Sequence, residues 1–400
     1  MGAHYVEKLK RMMTQIALTP NESSSSLSMF QKSLMPILSV ASSMYQVSLL
    51  VRQQLYTTGV FNQASQGICA CRLPLPVISV GNLTWGGNGK TPMVEFIARH
   101  FVEDGICSLI LTRGYGGGDE ANMLQRHLVG THAKIGIGAN RVATASSFLS
   151  RYGYVNKFSA PCRRQKDNID HGGKIGAVIL DDGMQHLRLA RNLDILMING
   201  MMPWGNGRLI PCGPLREPLT ALRRVHIAVI HNANMVPDSQ LEMIVSQLMK
   251  IKQSLPIFFS RLDPSHFFNL QQPSLILPLT TVQNMAVLCV SAVGFANAFV
   301  QTIKKVIQLK SIIFQKCYNS TGGGQLDIHL ITEKVKQLER QFAAKPLVVV
   351  TEKDYYRDQL ALTKINQVNV LVLCSSLNII EQHGQSQDSF MRLLRSFIDC

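Results

Sequence analysis

The sequence predicts an α/β protein with a P-loop NTPase-like α/β/α parallel-sheet core, a second, smaller α/β domain and an N-terminal amphipathic helix. Three observations predict it. A glycine-rich loop, Gly86-Gly-Asn-Gly-Lys-Thr91, joins a β-branched run at 77–80 to a helix-forming segment that starts at Thr91. Further short apolar runs follow at 108–111, 175–180, 194–198, 227–230, 286–290, 347–350 and 370–373, with helical stretches between them. Runs of that kind mean parallel strands covered on both faces. Ahead of them all lies a stretch with no charge from Ser33 to Val51.

Taken in order, residues 1–31 read as a polar leader. Lys8, Lys10, Arg11 and the run Ser23-Ser-Ser-Ser26 suit an organelle transit segment, whereas Glu7 and Glu22 do not. No apolar core of a secretory signal follows the charged start. Residues 32–71 read as a helix and linker. Val40, Met44, Val47, Val51 and Leu55 recur at helical spacing, and Ser39, Ser42, Ser43, Gln46 and Gln53 share another face. A spanning helix needs about 20 mainly apolar residues. This many Ser and Gln point instead to a helix lying in a membrane surface, the other reading being a helix packed on its own domain. Residues 72–270 form the expected P-loop domain and 271–400 the second α/β domain, with an irregular, proline-rich boundary at 264–278. The polar piece 161–173 reads as a surface insertion.

Composition narrows the partners. The chain has 400 residues, 46% hydrophobic and 16% charged, which is globular and not disordered. Its net charge of +15 asks for an acidic partner: a phosphorylated substrate, an anionic membrane or nucleic acid. Nucleic acid ranks last, since no RNA-recognition signature or zinc-finger spacing is present. The nine cysteines include Cys69 and Cys71 as a C-x-C with no second pair at metal spacing, so they read as reduced thiols.

The chemistry starts at the loop. A strand, a glycine-rich turn and a helix N-terminus bring backbone N–H groups and a dipole onto an anion. Thr84, Trp85, Gly86, Gly87, Asn88, Gly89, Lys90 and Thr91 make the expected nucleotide cradle, with Lys90 on the β/γ-phosphates and the Thr91 hydroxyl on Mg²⁺. The usual pattern would have glycine where Thr84 stands. The run 175–180 ends in Asp181-Asp182-Gly183, which puts carboxylates at the same sheet edge, where they suit the metal. A flexible loop from Arg113 to Asp119 and Glu120 lies at that edge too, with an arginine to clamp phosphate and a carboxylate to take a hydroxyl proton. The segment from Gly205 to Pro218 has three glycines, three prolines and no periodicity, as binding loops do. Arg208 and Arg216 in it suit a phosphorylated ligand, and Glu217 suits the metal or its surroundings.

These residues resemble a family. The motifs Gly81-Asn-Leu-Thr-Trp-Gly-Gly-Asn-Gly-Lys-Thr-Pro92, Arg113-Gly-Tyr-Gly-Gly117, Gly118-Asp119-Glu120, Asp181-Asp-Gly-Met-Gln-His186, Gly205-Asn-Gly-Arg-Leu209, Gly213-Pro-Leu-Arg-Glu-Pro218 and Thr351-Glu-Lys-Asp354 are similar, in order, to those of tetraacyldisaccharide 4′-kinases. The resemblance runs from about Leu34 to Asp358. It implies two α/β/α domains with the active site in their cleft, and a membrane-touching N-terminal helix. It also implies transfer of the ATP γ-phosphate to the 4′-hydroxyl of a lipid A disaccharide 1-phosphate precursor. By the same resemblance Lys90 and Thr91 bind the ATP phosphates and Mg²⁺, Asp181 and Asp182 with Glu217 set the metal, and Asp119 is the base. Lys90 and Asp182 join Asp119 as the catalytic set.

The sequence departs from the family in one place. An Asp-His-His stretch is expected after Val290-Ser-Ala-Val-Gly294, and residues 306–325 hold none, nor does His329 take its place. A splice or gene-model difference across 307–325 is expected, and with it a second reading, a catalytically weakened nucleotide-binding paralogue or isoform. A GTPase-like metal chaperone is a third, disfavoured because Lys353-Asp354 is only half of a guanine-reading Asn-Lys-x-Asp. The leader tilts the expected location to the mitochondrion, membrane-associated, the other choice being the cytoplasmic face of a bacterial inner membrane.

Overall fold

The computed structural model describes residues 9, 12–19, 27–57, 71–114, 118–155, 173–291, 296–307, 312–314, 326, 328–342, 345–365 and 368–398. In chain order its strands are β1 (Val77–Gly81), β2 (Cys107–Thr112), β3 (Lys134–Ile137), β4 (Ile175–Asp181), β5 (Leu193–Asn199), β6 (Ile227–His231), β7 (Ile257–Asn269), β8 (Ile276–Leu277), β9 (Val287–Val290), β10 (Ile312–Phe314), β11 (Leu347–Thr351) and β12 (Val370–Ile380). Its helices are α1 (Met29–Thr57), α2 (Lys90–Glu103), α3 (Asp119–His127), α4 (Arg141–Tyr152), α5 (Asp238–Ile251), α6 (Ala296–Ile307), α7 (Ile328–Phe342), α8 (Glu352–Leu362) and α9 (Gln387–Ile398).

The strands join in one sheet, in the order β10-β9-β11-β12-β7-β6-β5-β1-β4-β2-β3, with β8 attached to β7. β1, β2, β5 and β6 are buried at every residue, which is why they read as unbroken apolar runs. Neighbours are parallel from β3 through to β7, and again from β12 to β10. The two parallel halves meet where β7 and β12 run antiparallel over ten paired residues.

All eight expected strands are present, and β3, β7, β8 and β10 are additional. β3 is a sheet edge with only Gly136 fully buried, so it shows little apolar alternation. The expected irregular boundary at 264–278 is in part β7. Its ends bury Phe258, Phe259, Phe267 and Phe268, while its middle, around Asp263 and Pro264, is half-exposed ribbon. Pro264 lies opposite Ser375, at the register shift between Cys374 and Ser375, the kind of site where a strand tolerates proline. Residues 377–398 return to the first half: Leu377, Ile379, Phe390, Met391, Leu394 and Ile398 share a core with Phe96, Phe101 and Phe258. The pieces 1–8, 20–26, 156–172 and 315–325 lie outside the described residues, and with them the leader's serine run, most of the polar insertion and most of the segment expected to be altered.

Helix α2 follows from its sequence. Met93, Val94, Ile97 and Phe101 recur on one face and are fully buried, and the helix ends where Gly105 turns left-handed at φ +72°. Helix α1 is arranged the other way round. The Ser42 hydroxyl donates to the Leu209 carbonyl at 2.8 Å, the Tyr45 hydroxyl to the Arg216 carbonyl at 2.8 Å, and the Arg52 guanidinium to the Gln185 carbonyl at 2.8 Å. The docked side carries Ser42, Tyr45 and Leu49, the last two packed against a buried core, whereas Ser43, Gln46 and Gln53 of the expected polar face are exposed. Ile37, Val40, Met44, Val47 and Val51 face outward, each more than half exposed.

Phe390 is the pin between α9 and the first core, its ring edge-on to Phe258 at 5.1 Å between centroids. Phe390→Ala is expected to cost about 3–5 kcal/mol in urea unfolding. A loss under about 1 kcal/mol would show that α9 is peripheral to that core.

Candidate active site

The register of the sheet builds the site. Val80 pairs with Asp181, so the carboxyl end of β4 comes out beside the loop that leaves β1. That loop turns into α2 through Gly89 at φ +78°, where a Cβ would stand 2.7 Å from the His231 ring. Only glycine lets the loop close onto the end of β6. Thr84, the departure from the usual pattern, is buried, and its carbonyl and hydroxyl accept the Asn88 amide at 3.2 and 3.1 Å. Thr84 also bridges Leu215, and the Trp85 amide donates to the Pro214 carbonyl at 3.1 Å. The threonine is a brace between the phosphate loop and the 213–218 loop. Asn199 completes the support from β5, donating to the Gly87 carbonyl at 3.1 Å.

The charges gather at Asp182, which leaves β4 with a left-handed backbone, φ +51°. Its carboxylate takes the Arg216 guanidinium at 3.0 Å on both oxygens and lies 3.4 Å from the Lys90 ammonium. Burial pushes Asp182 up, but Lys90 and Arg216 outweigh that and hold it below the usual carboxylate range. Burial likewise pushes the Lys90 ammonium down, with Asp182 opposing. Asp181 accepts the Thr91 hydroxyl at 3.2 Å through one oxygen, while its other oxygen is buried with no hydrogen-bond partner among the described residues. Burial first, then the Glu120 and Asp182 charges, raise Asp181 to about 7. A buried carboxylate oxygen without a donor, next to a threonine hydroxyl and a second aspartate, is a donor set that fits a hard divalent cation.

The other expected residues divide. Asp119 opens α3, is only 7% exposed and accepts the Glu120 amide at 2.9 Å. Burial raises its carboxyl, with Lys353 pulling the other way. Glu217 has both oxygens on Arg224, at 2.7 and 2.8 Å, and one also on Gln185 at 2.9 Å. It fixes the loop behind the aspartates. Arg208 reaches Ser39 of α1 at 2.9 Å, so it anchors that helix. Arg113 is exposed at the end of β2, and residues 115–117 of its loop lie outside the described residues.

Across from the phosphate loop stands the second lobe. One cleft is lined by Gly87, Asn88, Lys90, Asp119 and Glu120 on one side and by Phe299, Thr302, Thr351 and Lys353 on the other. Lys353 pairs with Glu120 at 2.8 Å. Beside it Glu352 meets the His127 Nε2 at 2.7 Å, and the His127 Nδ1 meets Glu95 at 2.6 Å. Sequence reasoning missed Glu95 and His127, because an acid in a helix and a histidine at a helix end carry no motif. Lys353 belongs to a motif that gives it no role by sequence alone.

Residues 34–395 match the family model described as tetraacyldisaccharide-1-P 4′-kinase. The chain belongs to the tetraacyldisaccharide 4′-kinase family. It is 43% identical over 393 residues to a probable mitochondrial tetraacyldisaccharide 4′-kinase of Arabidopsis thaliana, covering 96% of each chain. It is 30% identical over 356 residues to the tetraacyldisaccharide 4′-kinase of Halothermothrix orenii, covering 84% of this chain and 87% of that one. Among solved structures, the fold is similar to that of "apo"-form LpxK from Aquifex aeolicus in complex with ATP. There the TM-score is 0.57 and the identity 21%, covering 92% of this chain and 100% of that one. The family resemblance read from the motifs and the P-loop α/β fold both stand.

In this tetraacyldisaccharide 4′-kinase family member, His127 is faced by Glu95 of α2, Glu352 of α8, Cys374 of β12 and His266 of β7. Burial pushes its imidazolium down, but hydrogen bonds with Cys374, Glu352 and Glu95 outweigh that and raise it from 6.5 to about 11. A raised folded value contributes stability that is fully present below 6.5 and is lost as pH rises through about 11. The stability gap between wild type and His127→Ala, measured by urea unfolding, is therefore expected to narrow steadily from pH 6 to pH 10. A gap that widens over that range would contradict the charged state.

Proposed function

We propose that this chain transfers the γ-phosphate of ATP to the 4′-hydroxyl of an acylated disaccharide 1-phosphate at a membrane surface, with Mg²⁺ on the phosphates. The observation that carries the reading is the Lys90–Asp182–Arg216 cluster at the mouth of the phosphate loop, with Asp119 lining the same cleft. Family membership over 34–395 agrees with it.

The chain's own residues divide the work of phosphoryl transfer, which asks mainly for positioning and charge neutralisation. Backbone amides at the start of α2 and the Lys90 ammonium hold the triphosphate. Thr91, Asp181 and Asp182 would hold Mg²⁺, which when bound neutralises charge on the phosphate oxygens. Arg216 is kept at the site by Asp182 and adds a second cation toward the phosphates. Asp119 takes the proton of the acceptor hydroxyl, and burial that raises its carboxyl brings it nearer the operating pH of a general base. Arg113 at the end of β2 serves the acceptor's phosphate, and Arg208 ties the acceptor side of the site to α1.

Helix α1 supplies the membrane contact. Residues 29–56 have a mean hydropathy of 1.6 over their most apolar window, and the outward stripe from Ile37 to Val51 has no protein over it among the described residues. With Ser42, Tyr45 and Leu49 docked, that stripe lies in the surface of the bilayer and meets the acyl chains. The net charge of +15 suits an anionic membrane and a phosphorylated acceptor, with no nucleic acid involved. The mitochondrial name of the Arabidopsis relative supports that location for this chain.

Radiolabelled transfer from ATP to the disaccharide 1-phosphate is the test. Wild type is expected to label it, and Lys90→Ala and Asp119→Asn to lose at least about 10²-fold in kcat/KM. Wild type that binds ATP and labels nothing would overturn the reading. In flotation with anionic vesicles the protein is expected to co-float, and Met44→Asp with Val47→Asp to abolish this while transfer to a short-chain acceptor persists. Unchanged flotation of that variant would remove α1 from the membrane contact.

A further inference from the structure

Glu352 and Lys353, adjacent at the start of α8, reach across the cleft to two different residues of one first-lobe helix. Lys353 meets Glu120 at the beginning of α3, and Glu352 meets His127 at its end. His127 in turn meets Glu95, which lies on α2, the helix that begins with Lys90 and Thr91. The contacts therefore link the phosphate-binding helix, the helix that opens with Asp119, and the second lobe.

Both ring nitrogens of His127 lie 2.6 and 2.7 Å from carboxylate oxygens. Two acceptors require two N–H donors, so the ring is an imidazolium. Glu95 and Glu352 are each only 6% exposed; Glu95 also holds Arg99 at 2.8 Å, whereas Glu352 would be left as a buried charge if the ring moved away. The second lobe is thus held at His127 by a contact that is costly to break. Lys353, next in sequence to the anchored Glu352, follows.

We propose that His127 is a positioning residue for phosphoryl transfer: it clasps Glu352 to the phosphate-binding helix and so sets Lys353 beside Glu120, next to Asp119. The proposal rests on the kinase reading of the cleft. His127, Glu352 and Cys374 also have ligand atoms within 4.8 Å of one another, as a metal site would. Both ring nitrogens are already occupied by carboxylates, which favours a proton there over a cation. The phosphate loop itself is braced from elsewhere, by Leu215, Pro214 and Asn199. Loss of the clasp is therefore felt in turnover and not in ATP binding.

The experiment compares wild type, His127→Ala, Lys353→Ala, the double variant and Lys353→Arg for transfer kcat, ATP Kd and Tm. Each single alanine variant is expected to lower kcat on the order of tenfold to a hundredfold, with ATP Kd within about twofold. The double variant is expected to fall little further, because the two residues act through one arrangement. Lys353→Arg is expected to restore part of kcat. Multiplying single effects, unchanged kcat per folded protein, ATP affinity that falls in step with kcat, or stoichiometric zinc in purified wild type would each overturn the proposal. Hydrogen exchange at the amides of 352–354 reads the clasp without turnover. His127→Ala is expected to speed it and Lys90→Ala is not, and equal rates in all three proteins would overturn the clasp even if the transfer assay itself failed.

Discussion

One carboxylate holds two cations at the edge of the sheet. Asp182 can do so because β4 is buried and apolar up to Asp181 and then turns into a left-handed residue, which brings the side chain round between Lys90 of α2 and Arg216 of the 213–218 loop. Remove that charge and two cations, from separate loops, repel each other in a mostly buried place. Asp182 thereby ties the start of α2 to the 213–218 loop, and α1 in turn rests on the carbonyls of Leu209 and Arg216.

The same arrangement joins α1 and the Lys90 loop in one small region. The 205–218 loop meets α1 with Arg208, Leu209 and Cys212, and meets the phosphate loop with Pro214 and Leu215. The docked side of α1 mixes hydrogen-bonding and apolar residues, and its outward side carries an apolar stripe that an ordinary surface helix would bury. This places an exposed apolar stripe one loop away from Asp181 and Asp182, which suits the proposed substrate with acyl chains at one end and hydroxyls at the other.

Much of this was legible in the residues. The buried parallel strands show as apolar runs, and the loop motifs show because phosphate binding needs glycine, lysine and aspartate at fixed places. Thr84 reads as a flaw in a pattern, and only the structure shows it bracing Asn88 and Leu215. Glu217 reads as a metal neighbour from its place in a motif, yet Arg224, which no motif flags, claims both of its oxygens. β7 hides because a strand that is ribbon in its middle loses the apolar alternation there, and Pro264 argues locally against it. Glu95, His127 and Glu352 come together from three distant stretches, so no local spacing could announce them.

The central claim is that Asp182, 3.4 Å from Lys90, would help hold Mg²⁺ on the phosphates that Lys90 binds, and calorimetric titration of ATP with and without Mg²⁺ tests it most directly. Wild type is expected to bind ATP much more tightly with Mg²⁺ than without, and Asp182→Asn to lose that difference while keeping metal-free binding through Lys90. The same Mg²⁺ dependence in both proteins would contradict the account.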